Sequence, residues 1–203
     1  MQKLKNTIRK QIVKAAMEVF KKNGFEKTTM ATIAEEAKIS TGNIYRYYKN
    51  KEDLFYNIIP QDLADVVLSL FKSKIESLSG IEDINSLDSK AEYHIYSEKL
   101  LDLCIENRDK IIILMNKAKG TEYADFNLKI IALMENLAVD YAKSINKNYK
   151  VTKAKKISLH LIYTSFLHNL INILKTCDKS EELKIILEEY TKYHLSGLKA
   201  FFQ

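Results

Sequence analysis

Turn-forming residues are scarce in this chain, which holds one proline and five glycines in 203 residues. Sandwiches and barrels need a turn about every ten residues, so this scarcity excludes them and leaves an all-α fold. Cysteine is equally sparse. Cys104 and Cys177 lie far apart in apolar stretches without CxxC spacing, which predicts reduced, buried thiols and no metal site. No uninterrupted apolar run approaches the roughly 18 residues of a membrane span. Met1 is followed by alternating charge and Ile rather than by the apolar core of an export signal. A soluble, cytoplasmic protein with no membrane partner is expected. Also missing are a nucleophile elbow, a phosphate-cradling glycine loop, an HExxH pair and a paired-carboxylate setting. An enzyme is therefore not expected, nor a cofactor.

What the chain does have is charge, unevenly placed. Residues 1–53 carry 12 Lys and Arg against 6 Asp and Glu, whereas residues 54–203 carry 20 of each. The whole excess of +6 thus sits in the first quarter. An ordinary solvated face would be spread more evenly. A basic part on a neutral body is the footprint of a phosphate-facing module.

Helical periodicity runs through most of the sequence. From Thr7 to Lys22, Ile8, Ile12, Ala15, Ala16, Val19 and Phe20 recur on one face, and Asn23-Gly24 supplies a left-handed stop. Three hydroxyl or amide caps then follow within a short stretch: Thr28-Thr29, Ser40-Thr41 and Asn50. They predict short helices over Met30–Ala37 and from Thr41 through Tyr48, and a longer one opening at Lys51. Glu52 and Asp53 fall in the first turn of that longer helix, where the helix dipole favours carboxylates. It is expected to run to Ser77 with a kink at Pro60. After a loop over 79–88, helices are expected at about 88–106, 108–118, 122–146, 152–176 and 180–202. The total is about nine helices. The last two carry apolar residues around well over half of their circumference, including Ile157, Leu159, Leu161, Tyr163, Phe166, Leu183, Ile186 and Tyr193. Such helices are buried on two sides, either inside a monomeric bundle or against a second copy in a four-helix contact.

The stretch 28–55 holds a two-helix unit turning at Lys38-Ile39-Ser40. Ala34 and Ala37 are small where the helices must cross, and Ile33, Ile39 and Ile44 can fill the space toward Phe20. The second helix is then held outward, with Thr41, Gly42, Asn43, Tyr45 and Arg46 free to meet a groove. Arg46 can donate to the O6 and N7 of guanine, and the neighbouring phenols to phosphate oxygens. Lys51, beside a helix N-terminus, suits a phosphate. Tyr45, Tyr47 and Tyr48 cannot all point to one side, so at least one is expected on the surface.

Phe20, Gly24, Phe25, Thr28, Thr29, Ile33, Ala34, Ala37, Ser40, Gly42, Ile44, Tyr45, Tyr47, Lys51 and Leu54 stand in the order and register of the TetR family of bacterial repressors, which the first 55 or so residues resemble. The resemblance implies an N-terminal three-helix helix-turn-helix domain over 1–53, with the motif itself at about 29–48. It implies a larger helical ligand-binding and dimerisation domain over 54–203. On the family pattern Thr29 and Tyr47 hold phosphates, Ser40, Thr41, Asn43, Tyr45 and Arg46 face the groove, Gly42 allows close approach and Lys51 anchors the backbone. Two departures stand out. Lys38 replaces the usual turn glycine, so a left-handed backbone there would cost about 1 kcal/mol. Tyr48 replaces the usual Phe, which is tolerable if its hydroxyl reaches solvent.

The resemblance further implies a sequence-specific transcriptional repressor. It would bind double-stranded operator DNA as a homodimer through the last two long helices, and leave it when a small hydrophobic or aromatic effector binds the C-terminal domain. The alternative is a ligand-independent DNA-organising protein of the same fold. Polar or soft groups within apolar helices are the candidates for the effector pocket: Tyr96, Cys104, Met115, Tyr123, Met134, Tyr141, His160, Tyr163, His168 and Asn169. His160 and His168 are about two turns apart on one helix, too far to chelate one ion unaided.

Overall fold

Helices form over most of the expected ranges, and four of them begin at a side-chain cap, Thr29, Ser40, Asn50 or Thr152. The computed structural model describes residues 2–81, 87, 88, 90–177 and 179–202, with side chains from Lys5 onward, and among them it holds ten helices and no strand. They are α1 (Gln2–Asn23), α2 (Met30–Glu36), α3 (Thr41–Ile44), α4 (Lys51–Ile58), α5 (Gln61–Glu76), α6 (Glu92–Glu106), α7 (Arg108–Asn116), α8 (Phe126–Ile145), α9 (Lys153–Thr176) and α10 (Ser180–Phe202). Of the loop expected over 79–88, residues 82–86 lie outside the described set, as does Asp178 of the expected break before the last helix.

Two expectations are corrected. The single kinked helix from Lys51 to Ser77 is two helices, α4 and α5, bent by 41° across Ile59-Pro60. Pro60 has no N–H to continue the ladder and its ring pushes the preceding residue out of the helical region. Ile59 accordingly sits at φ −114, ψ 79. The segment expected as a helix through Tyr48 stops at Ile44. Beyond it Arg46 N–H donates to Asn43 O (3.3 Å) and Tyr47 N–H to Ile44 O (2.8 Å), tighter three-residue turns in place of α-helical ones.

The chain forms two compact units, one from residues 1–65 with 109–126 and the other from 66–108 with 127–203. In the first, Phe20, Phe25 and Phe55 meet at centroid distances of 5.0–6.0 Å. Ile12, Ile33, Ile44 and Leu54 are fully buried around them. The segment 109–126 completes this core. Ile111, Ile113 and Leu114 are fully buried, Tyr123 packs on Phe55 and Tyr56 at 6.4 and 5.7 Å, and Phe25 N–H donates to Lys117 O (2.8 Å).

In the second unit α5, α6, α8, α9 and α10 all contribute buried side chains, among them Val67, Tyr93 and Ile130. Leu159, Tyr163, Phe166, Leu167, Ile171 and Leu174 of α9 are buried, as are Leu183 and Leu187 of α10. Phe166 stacks on Tyr190 and on His194 at centroid distances of 5.5 and 3.8 Å, and Asn169 donates to Tyr190 Oη (2.9 Å). By length and mean hydropathy (1.3) α9 would suffice to cross a membrane. Its apolar run is nevertheless interrupted by polar residues from Ser158 to Asn172.

Candidate nucleic-acid interface

The two-helix unit is built by its caps. Thr29, at the N-terminus of α2, accepts from Thr32 N–H (3.1 Å) while Thr32 Oγ1 accepts from Thr29 N–H (3.1 Å), a reciprocal capping box. At the other end of α2, Lys38 N–H donates to Glu35 O and Ile39 N–H to Ala34 O, each at 3.0 Å. This stop requires a left-handed residue between them, and Lys38 adopts φ 53. The side chain standing where glycine would be easier is thus a strained one, as the sequence predicts. Ser40 Oγ then caps α3 by accepting from Asn43 N–H (3.3 Å), and Asn50 caps α4 by accepting from Asp53 N–H (2.7 Å).

One face of α3 and its following turns is anchored and the other is presented. Ile44 is fully buried and Tyr48 is 2% exposed, whereas Tyr45 is 53% exposed and Arg46 is exposed. Thr41, Asn43 and Tyr47 are half-buried; Thr29, Ser40 and Gly42 are exposed. A Cβ on Gly42 would meet nothing within 4 Å, so the backbone there is open to outside approach. Lys51 is half-buried, its ammonium donating to Phe25 O (2.8 Å) and lying 4.1 Å from the Phe25 ring centroid. Its charge therefore sits at the site while its nearest bonds are internal.

Tyr48, 2% exposed, satisfies its hydroxyl inside the protein rather than in solvent. It accepts from Arg9 Nε and donates to Asn57 Oδ1, both at 3.2 Å. A buried phenol needs such partners, and these two come from α1 and α4. Gln11 adds a further tie from α1, donating to Ala37 O at 2.6 Å. Arg9, Gln11 and Asn57 are positioning residues that sequence reading does not find, because no local spacing marks a contact 9 to 39 residues away.

The ten candidate pocket residues divide between the two units. Met115 and Tyr123 belong to the N-terminal unit, where both are buried and Tyr123 Oη donates to Gln61 Oε1 (3.0 Å). The other eight belong to the C-terminal unit. There Met134 and Tyr163 are buried, Tyr96 and Cys104 half-buried, and Tyr141 donates to Ile81 O (2.8 Å). Asn169 is bound to Tyr190. His168 is exposed, and His160 pairs with Glu135 (2.8 Å) at the surface. The sequence reading passes over Lys74 and His194, two basic groups within the same unit.

Residues 12–58 match the N-terminal domain of the bacterial regulatory proteins of the tetR family. An HTH-type transcriptional regulator of Staphylococcus aureus is 34% identical over 120 residues, 58% of this chain and 64% of that relative's length. The uncharacterized HTH-type transcriptional regulator YfiR of Bacillus subtilis is 41% identical over 63 residues, 31% of each chain. The crystal structure of SCO3833, a member of the TetR transcriptional regulator family from Streptomyces coelicolor, superposes with a TM-score of 0.50 at 15% identity, over 90% of this chain and 88% of that one. At that identity the likeness is one of fold. With the capped two-helix unit and its outward tyrosine and arginine already in place, these matches identify residues 12–58 as an N-terminal domain of the tetR family of bacterial regulatory proteins.

Proposed function

We propose that the protein is a sequence-specific DNA-binding regulator of transcription, a homodimeric repressor that leaves its operator when a small molecule binds the C-terminal unit. The observation that carries this reading is the presentation of Tyr45 and Arg46 outward from a segment whose inner residues, Ile44 and Tyr48, are buried. Arg46 reads a base edge in the major groove, and Thr29, Thr41, Tyr45 and Tyr47 bond to phosphates on either side. The excess of positive charge in residues 1–53 supplies the sequence-independent part of the affinity. Lys51 acts by its charge from behind the contact.

Pairing through α9 and α10 is supported by apolar side chains left on their outer faces. Leu161 is 63% exposed and Tyr193 75% exposed, with Ile157 and Ile185 also bare. These stripes are suited to a second copy of the same surface. Two reading segments related by a two-fold axis then select a palindromic site with half-sites about one or more helical turns apart.

Selection of bound duplexes from a random pool tests the reading. A palindrome is expected, with binding that weakens steeply as salt rises. Arg46→Ala is expected to relax preference at one base pair by about 1–3 kcal/mol while other positions keep theirs. The reading fails if the pure protein retains no duplex at low ionic strength. Leu161→Glu is expected to yield monomers in sedimentation and to weaken operator binding with them.

A further inference from the structure

The outer face of α1 carries positive charge that no internal counter-charge claims. Before Glu18 the sequence holds five basic residues and no acidic one. Arg9, Lys10 and Lys14, all exposed, line one groove of about 550 Å³ that runs along the helix to Glu18 and Asp109. Those two carboxylates are already engaged, since both pair with Lys21, at 3.0 and 2.9 Å. Among the described residues no carboxylate lies within ion-pair distance of Arg9, Lys10 or Lys14. Asp53, which acts on Arg9 at longer range, accepts from Lys49 N–H (2.9 Å). Half-buried Val13 and Met17 also line the groove. An apolar lining suits long cationic side chains, whose stems lie on it while their heads stay in water.

An exposed lysine is ordinarily a solvated charge and nothing more. Arg9 sets this group apart. Its Nε donates to Tyr48 Oη (3.2 Å), and its guanidinium carbon lies 5.7 Å from the Tyr48 ring centroid. Tyr48 stands two residues after Arg46, in the segment whose outer side is presented. One edge of the guanidinium is thereby fixed against the reading segment, while its two Nη nitrogens make no hydrogen bond among the described residues. A guanidinium held by one edge is oriented before a ligand arrives, and its remaining donors match two oxygens of a phosphate. Lys10 and Lys14 continue the groove at the i, i+4 spacing that sets side chains on one helix face.

We propose that Arg9, Lys10 and Lys14 form a phosphate-binding track along α1, which carries the duplex backbone past the contacts of the α3 segment. The track rests on reading the protein as a DNA-binding regulator and adds to it a second surface that senses charge and not base identity. Three cations without counter-ions, continuous with the reading segment through Tyr48, select a polyanion over a neutral or cationic ligand. Arg9 serves both surfaces: Nε holds Tyr48 and the Nη edge binds phosphate.

The test is the salt dependence of binding by the full chain to a palindrome taken from the random-pool selection. Each phosphate neutralised on B-DNA contributes about 0.9 to the slope of log affinity against log salt. Lys10→Gln combined with Lys14→Gln is expected to lower that slope by about 1.8, and Arg9→Gln by about 0.9, with base preference in the selection as in wild type. Tyr48→Phe removes the same internal bond as Arg9→Gln but no charge, and is expected to keep the wild-type slope. Lys143→Gln combined with Lys147→Gln takes an equal charge from the exposed surface of the other unit, and should leave the slope unchanged. An undiminished slope in the Lys10, Lys14 variant, an equal loss in the control pair, or equal slopes for Arg9→Gln and Tyr48→Phe overturns the track. If wild type still selects a palindrome in that case, the DNA-binding reading stands without the track; if wild type retains no duplex, both fall.

Discussion

The two units treat buried polar groups in opposite ways. In the N-terminal unit Thr28, 1% exposed, donates to Gly24 O (2.6 Å), Tyr48 is held by Arg9 and Asn57, and Lys51 is held by Phe25. Among the described residues of the C-terminal unit, His194 Nε2 and Tyr149 Oη are buried without partners, and Lys74 lies by the Tyr93 ring with no carboxylate within ion-pair distance. A fully satisfied network fixes one arrangement of side chains, whereas an unsatisfied one lowers stability and leaves room for a partner. The contrast fits the proposed division into a unit that presents a fixed surface and a unit that responds to an effector.

The comparison can be broken most forcefully at the aromatic cluster of the first unit. Phe20→Ala is expected to cost about 3–5 kcal/mol in urea unfolding, because Phe25 and Phe55 close around a side chain with no access to solvent. A loss below about 1 kcal/mol would mean that the cluster does not organise that core. In the second unit the expected sign reverses: Lys74→Met should gain about 2 kcal/mol at pH 7, since it removes an unpaired charge from low dielectric. The pH dependence follows from the direction of the shift. Burial lowers Lys74 from 10.5 to about 8, so between those values the unfolded chain binds the proton more strongly. The penalty is complete below about pH 8 and fades as pH rises toward 10.5. The gap between wild type and Lys74→Met should therefore narrow over that window, and a constant gap would show that the ammonium is not desolvated.

His194 sharpens the contrast on the acid side. Burial and Lys74 lower it from 6.5 to about 4, so stability is expected to fall as pH drops through that range, when the unfolded chain takes up a proton the folded chain refuses. His194→Gln should flatten this part of the urea-midpoint profile, and an unchanged slope would clear His194 of the effect. Smaller effects belong to the N-terminal unit. Tyr48→Phe should cost about 1 kcal/mol through the loss of two hydrogen bonds, with Arg9 and Asn57 left to find water. Lys38→Gly should gain somewhat under about 1 kcal/mol, because glycine adopts φ 53 without strain. A loss there would mean that the lysine side chain makes up for its own backbone.

Local signals made much of this molecule legible. Thr29, Ser40 and Asn50 cap the helices that follow them, and a cap involves residues only three apart. The left-handed turn at Lys38 was legible for the same reason. The breadth of the apolar faces of α9 and α10 was legible too, and Leu161 and Tyr193 on them remain exposed. What the sequence did not disclose depends on contacts between distant residues. The partners of Tyr48 lie 39 and 9 positions away. Polarity within an apolar stretch singled out Tyr123 and Met115, yet only the fold shows that their segment packs with Phe55 and Tyr56. Lys74 escaped notice because surrounding charges on its own helix made it read as one more solvated lysine.

The return of residues 109–126 to the N-terminal unit bears on any attempt to prepare that unit alone. A fragment cut after residue 65 would lack Tyr123 over Phe55, the Lys117 carbonyl that receives Phe25 N–H and the Asp109 carboxylate 2.9 Å from Lys21. Its aromatic side chains would face water, and the product would aggregate rather than dock. A workable miniature would have to splice the 109–126 stretch back on through an engineered linker, making the smallest autonomous piece discontinuous in the gene though continuous in space.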